Sequence, residues 1–219
     1  HALPKTTISN NEFAPKRFAP CTELDAASPA AHNPSTMVFW FSDVGLITCS
    51  ASRIDFEREI TNLNKLEVEL FKEAIVATKA EKYNGEIYLD ACDTDEKRFR
   101  DRVSSSLGSS WSQWSIKSQH KMDLENILVG AASILAKVHR DKEIEKIGQL
   151  LGLEIGSGYP SDPKTRVAIK NLVKGEYPNK YLRWSWVTTE NIWLKENRKP
   201  IPKRGQVEEN SKQSSISDW

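Results

Sequence analysis

Residues 130–163 constrain the fold more than any other stretch: GAASILAKVHRDKEIEKI, followed a few residues later by GSGYPSDP. Ala131, Ala132 and Ser133 are small enough to let a helix approach a sheet or another backbone closely. The helical period runs from Ile127 to Leu151, with a break expected near Asp141. The Gly-Ser-Gly-Tyr loop then presents Tyr159 between glycine and proline, a combination that core packing alone does not require. Upstream, Glu86 to Asp90 is too short for a helix and follows an Asn84-Gly85 turn. It reads as a buried strand ending in a carboxylate. Ligands and catalytic groups gather at the carboxyl ends of strands in α/β sheets, so Asp90 is the first candidate for chemistry.

The remaining pattern supports the same class. Thr36 to Ser50 is dense in β-branched and aromatic residues and predicts one or two strands, with a hairpin around Ser42-Asp43. From Asp55 to Lys79, Ile60, Leu63, Leu66, Leu70, Ala74 and Ala77 recur at three- and four-residue steps, which predicts one amphipathic helix. A charged helix should start at Thr94 to Glu96 and reach Val103. A strand is expected over Trp111 to Ser118, a helix over Pro163 to Val173, and a last element over Trp184 to Trp193. Strands alternating with helices predict an α/β fold: a mixed sheet flanked by helices, with a C-terminal helical extension. Residues 37–195 form the expected domain. Residues 1–36 read as irregular or disordered, and 196–219 as a disordered polar tail.

A chain of 219 residues is a prior for one catalytic domain. Its net charge of +1 means that affinity for nucleic acid must come from a local basic face. Cys21, Cys49 and Cys92 are odd in number and lack zinc-ligand spacing, which predicts a reducing compartment. No apolar run has membrane-spanning length and no secretory pattern opens the chain. The expectation is a soluble cytoplasmic monomer with no membrane partner.

Candidate chemistry centres on carboxylates. Asp90, Asp93 and Asp95 cluster after the strand, and Asp123 lies between a strand and the long helix. A hard cation takes oxygen ligands, and carboxylates from separate elements can share it. The same aspartates are also suited to capping the next helix, with Asp95 the better cap and Asp90 the better ligand. Lys137, His139, Arg140 and Lys142 supply positive charge beside Ser133. This is either a solvated helix face or, next to the Gly-rich loop, a phosphate track. Tyr159 either packs its loop or meets a sugar, including the 2′-hydroxyl that marks RNA. Together these features point to metal-dependent chemistry on a phosphodiester.

The segments SASRID, TNLNKLE, IYLDACDTDEKRF, HKMD, GAASILAKVHRD, GSGYPSDPKT and RWSWVTTENI, in this order, resemble the type 2 ribonucleases H (ribonuclease HII), especially the archaeal and eukaryotic branch. The resemblance implies a ribonuclease H-like fold and Mg2+- or Mn2+-dependent endonucleolytic cleavage of the RNA strand of RNA–DNA hybrids. It also implies cleavage at ribonucleotides embedded in duplex DNA. Family members use four acidic metal ligands. Asp90 matches the third and Asp123 the fourth, and these are the catalytic and metal-binding residues the resemblance assigns. Tyr159 matches the tyrosine that recognises the ribonucleotide, while Ser133, Lys137 and Arg140 fall in the basic helix motif as substrate contacts. The family's opening strand, with an Asp-Glu pair in a DEAGRG-like motif, has no counterpart in the sequence. The expectation is therefore a chain that begins downstream of that strand. Asp43 is the one nearby stand-in, although it precedes Val44. Asn126-Ile127 replaces the Tyr-Pro that usually follows the fourth acid. An inactive relative that only binds hybrid nucleic acid is the alternative.

Overall fold

A computed structural model describes the backbone of residues 2–3, 5–9, 24–25, 35–40 and 43–205, and side chains over 44–205. Its strands are β1 (Ala2–Leu3), β2 (Lys5–Ser9), β3 (Leu24–Asp25), β4 (Ser35–Trp40), β5 (Asp43–Thr48), β6 (Gly85–Asp90) and β7 (Trp114–Gln119). The helices are α1 (Ala51–Ile60), α2 (Leu63–Ala77), α3 (Glu96–Leu107), α4 (Met122–Glu125), α5 (Ile127–Leu151), α6 (Pro163–Leu172) and α7 (Val187–Asn197). The chain divides into two compact units. The first contains all the strands, α2, α3, α4 and α5 as far as Asp141. The second contains α1 and the chain from Lys142 onward.

In the first unit, β6 runs parallel to β7 and antiparallel to β2, giving the order β2-β6-β7. β4 and β5 form an antiparallel hairpin, and β1 pairs with β3. The expected hairpin is therefore present, although residues 41–42 at its tip lie outside the described residues. Much of 1–36 also lies outside them. Within that segment, where composition predicts no regular element, β2 places Lys5 opposite Asp90. Its Thr-Thr-Ile core supplies the β-branched residues that suit a strand.

Alternation along β6 turns Ile87 and Leu89 into the core, both with 0% exposure. They meet Phe71, Ala74 and Ile75 of α2, Phe99 and Val103 of α3, and Trp111 and Trp114. Phe71 and Phe99 pack edge to face at 4.9 Å. Each such fully buried side chain contributes about 1.5–3 kcal/mol. At Gly45 of β5, an added Cβ would lie 2.3 Å from the Ala74 carbonyl, so only glycine allows α2 this close to the hairpin.

The single helix expected over Asp55 to Lys79 is two. Ser50 caps α1 by accepting from the Arg53 amide at 3.1 Å. Thr61 ends it, its amide and its hydroxyl both donating to the Glu57 carbonyl. A hydroxyl competing for backbone groups breaks the helix while the apolar period continues past it. The break expected in the long helix near Asp141 is absent, and α5 is continuous over 25 residues. Asp95 caps α3 as anticipated, accepting from the Arg98 amide at 2.9 Å.

The second unit is organised around Asp55, 1% exposed. It accepts from the amides of Trp184 and Ser185 at 2.8 and 3.0 Å, the Ser185 hydroxyl at 2.7 Å and Arg204 Nε at 3.1 Å. Arg204 stacks over Trp184, and Trp184 and Trp193 are core residues.

Candidate active site

β6 delivers Asp90 to the end of the sheet, where it is 7% exposed. Its Oδ1 accepts from the Met122 amide at 2.9 Å. This bond ties the strand end to the turn that carries Asp123, so the two acids expected as metal ligands are brought into one neighbourhood. Lys121 enters the turn with φ +58°, and Asp123 occupies the first turn of α4, half-buried. Asn126 then stops α4 and starts α5, its Oδ1 accepting from the Leu128 and Val129 amides at 2.9 and 3.3 Å. Gly130 makes this turn compact: a Cβ there would lie 2.5 Å from the Asp123 carbonyl oxygen.

Asp93 is held for a different task. It is 2% exposed and bonded to Arg98 and Arg102, with Arg98 Nε at 3.0 Å and Arg102 Nη1 at 3.1 Å. The Arg98 guanidinium holds its carboxyl well below the usual range. Asp93 therefore fastens the β6–α3 loop and is not presented as an additional ligand. Glu67 of α2 lies against this loop, hydrogen-bonded to Cys92, and burial pushes its carboxyl up to about 7. The same burial pushes the Cys92 thiol up. His120 is also structural, its amide donating to Glu96 at 2.6 Å while its Nδ1 lies 3.1 Å from the Ala91 carbonyl.

Helix α5 sorts the expected substrate contacts by face. Lys137 is exposed. Ser133 is 5% exposed, and its Oγ has no hydrogen-bond partner among the described residues. Arg140, expected on the basic outer surface, is 1% exposed and bonds Asp141 at 2.8 Å. Its position explains the burial: it follows Ser133 by seven and Ala136 by four, on the inward stripe with Ala132. His139 contacts Thr48 Oγ1 at 3.1 Å. The side chain of Asp43, the stand-in acid, lies outside the described residues.

In the second unit the Tyr159 loop is built rigidly. Gly156 and Gly158 take φ +77° and +76°, which side chains rarely adopt. Asp162 accepts from the Ser157 and Lys164 amides at 2.6 and 2.9 Å, and the Ser157 amide in particular holds its carboxyl below the usual range. Thr165 Oγ1 receives the Gly158 amide and donates to the Ile155 carbonyl, both at 2.9 Å. Tyr159 is half-buried on this frame.

A family model for ribonuclease HII matches residues 43–189. The chain belongs to the ribonuclease HII family. It is 41% identical over 155 residues to the ribonuclease HII of Methanococcus maripaludis strain C7, covering 70% of this chain and 63% of that protein. The chain thus spans a little under two thirds of that relative. The ribonuclease H2 structure from Pyrococcus horikoshii OT3 aligns with TM-score 0.61 and 34% identity over 72% of each chain. The ribonuclease HII of Archaeoglobus fulgidus, solved as a complex with PCNA, aligns with TM-score 0.58 and 29% identity over 68% of each chain. These likenesses show the ribonuclease H-like fold that the sequence motifs imply.

Proposed function

We propose that this ribonuclease HII family chain acts on RNA–DNA hybrids and on ribonucleotides embedded in duplex DNA, by divalent-metal-assisted hydrolysis of a phosphodiester. The observation that supports the reading is the Asp90–Met122 bond, which ties the end of β6 to the residue before Asp123. Asp90 and Asp123 would hold Mg2+ or Mn2+. Bound there, the cation would neutralise charge on phosphoryl oxygens and activate water. The donor set suits a hydrated cation on two carboxylates and falls short of a closed centre, since no group of three acidic, His or Cys side chains forms among the described residues. In this reading Tyr159 contacts the sugar and Lys137 holds a flanking phosphate.

The second reading is binding of hybrid duplex without cleavage. A duplex carrying one ribonucleotide, incubated with Mn2+ or Mg2+, separates the two. Cleavage abolished by Asp90→Asn supports the nuclease, salt-sensitive binding without cleavage supports the second reading, and the absence of both cleavage and binding refutes both. By analogy with the Archaeoglobus relative, PCNA is the proposed protein partner.

A further inference from the structure

The net charge of +1 is unevenly spread: residues 163–204 hold eleven Lys and Arg against three Glu. Within this stretch Lys170, Lys174, Lys180, Arg198, Lys199 and Lys203 are exposed, and none of them pairs with a carboxylate among the described residues. The partners they have are neutral. Lys174 donates to Asn171 Oδ1 at 2.8 Å, while Lys180 and Lys199 lie 5.1 and 5.5 Å from the ring centroids of Tyr181 and Trp193. Three bonds gather these cations at the C-terminal end of α6. The Leu172 carbonyl accepts from the Asn179 amide at 2.8 Å, the Val173 carbonyl from Asn197 Nδ2 at 3.1 Å, and the Lys180 carbonyl from Arg204 Nη1 at 3.0 Å. We infer that this basic end of the second unit binds an unpaired stretch of nucleic-acid strand, continuous with the strand whose sugar meets Tyr159. The inference rests on the proposed action on nucleic acid and adds a substrate feature to it, a single-stranded flank.

Crowded like charges repel, and a phosphate backbone offsets them with one negative charge at each step. The helix dipoles account for Lys170 and Arg198, at the ends of α6 and α7, but not for Lys180 or Lys203, which follow no helix end. Glu176 and Glu196 are exposed nearby and pair with none of the six. Tyr177 selects a strand over an acidic peptide. It is 44% exposed, and its ring lies parallel to that of Trp184, with centroids 6.5 Å apart and planes at 3°. A ring held in this way can stack on a base, provided the base has an open face, as in a single strand and not inside a duplex. Helix α6 joins this surface to the Tyr159 loop. Asp162 caps its start and donates its amide to the Tyr159 carbonyl at 3.0 Å. Arg166 and Lys170, four residues apart, lie exposed on one row along it. Ten helical residues span about 15 Å, so a strand with its sugar at Tyr159 reaches the cations about four nucleotides on, at about 3.4 Å per step.

Fluorescence anisotropy on the full chain without divalent metal, where no cut occurs, tests this directly. The probes are a blunt RNA–DNA hybrid and the same hybrid with a single-stranded overhang of about ten nucleotides, at several salt concentrations, with polyglutamate as competitor. The overhang should raise affinity several-fold. Lys174→Ala combined with Lys180→Ala should remove most of that gain and lower the salt slope by about 1.4, roughly 0.7 for each single-strand phosphate. Tyr177→Ala should weaken binding of the overhung hybrid about fivefold or more without changing the slope, whereas Tyr177→Phe, which keeps the ring against Trp184, should retain it. Equal affinity for the blunt and overhung hybrids would overturn the inference, as would a gain that survives the double substitution. Polyglutamate that displaces the overhung hybrid as readily as a single strand does would assign the surface to an acidic protein and overturn it too. Cleavage of the blunt hybrid by the unsubstituted chain with Mn2+ reports on the nuclease reading separately. Its absence would remove that reading, and the metal-free overhang titrations would still decide this one.

Discussion

Replacing Glu67 with glutamine should stabilise the first unit at alkaline pH and leave it nearly unchanged in acid. Glu67 is 5% exposed on the inner face of α2, beside Asp93, and both nearby guanidiniums are taken by Asp93. Burial raises its carboxyl from 4.5 to about 7, so the folded chain holds this proton more tightly than the unfolded chain. Below pH 4.5 both states carry the proton and no stability is lost. As pH rises toward 7 the unfolded state alone releases it, stability falls, and above 7 the loss is complete. At about 1.4 kcal/mol for each tenfold difference in proton affinity, the loss reaches roughly 3 kcal/mol. Glutamine keeps the volume and cannot ionise, but it alters the hydrogen bond to Cys92, worth about 1 kcal/mol. The net gain at pH 8 is then about 2 kcal/mol, against none or a slight loss at pH 4.5. Asp93, whose depressed carboxyl makes stability fall in strong acid, is present in both proteins and cancels in the difference. Urea unfolding at the two pH values, followed at the Trp114 indole, measures the effect in this unit. Equal destabilisation by Glu67→Gln at both pH values would refute the reasoning.

Asp55→Ala should destabilise the second unit by about 3–5 kcal/mol, because it strands buried Arg204 and two backbone amides; urea unfolding read at Trp184 checks it. Gly45→Ala forces a Cβ to 2.3 Å from the Ala74 carbonyl and should lower the stability of the first unit by about 1–3 kcal/mol in the same assay read at Trp114. Tyr159→Ala should weaken the preference for ribonucleotide-containing duplex over all-DNA duplex, a result visible in paired binding titrations. Lys137→Ala should lower affinity for both duplexes and flatten the salt dependence, whereas Arg140→Ala should lower thermal stability before it alters the salt slope, because Arg140 is buried.

What was legible in the sequence is what local chemistry decides. The strand at 85–90, the Asp95 cap, the hairpin before Ser50 and the long helix are each written in period, turn residues or capping oxygens, and they appear within a few residues of expectation. The break at Thr61 was not legible, because an apolar period continues across a cap, and the signal that marks it is a hydroxyl closing on its own helix. Arg140 shows a second limit: a charge run on a helix reads as a basic surface, yet its face is fixed by which neighbours are small, and Ala132 and Ala136 turn it inward. The site divides in the same way. Asp90 and Asp123 stand in motifs and can be found by residue type, while the Met122 amide that bonds Asp90 is a backbone group, invisible in residue identity.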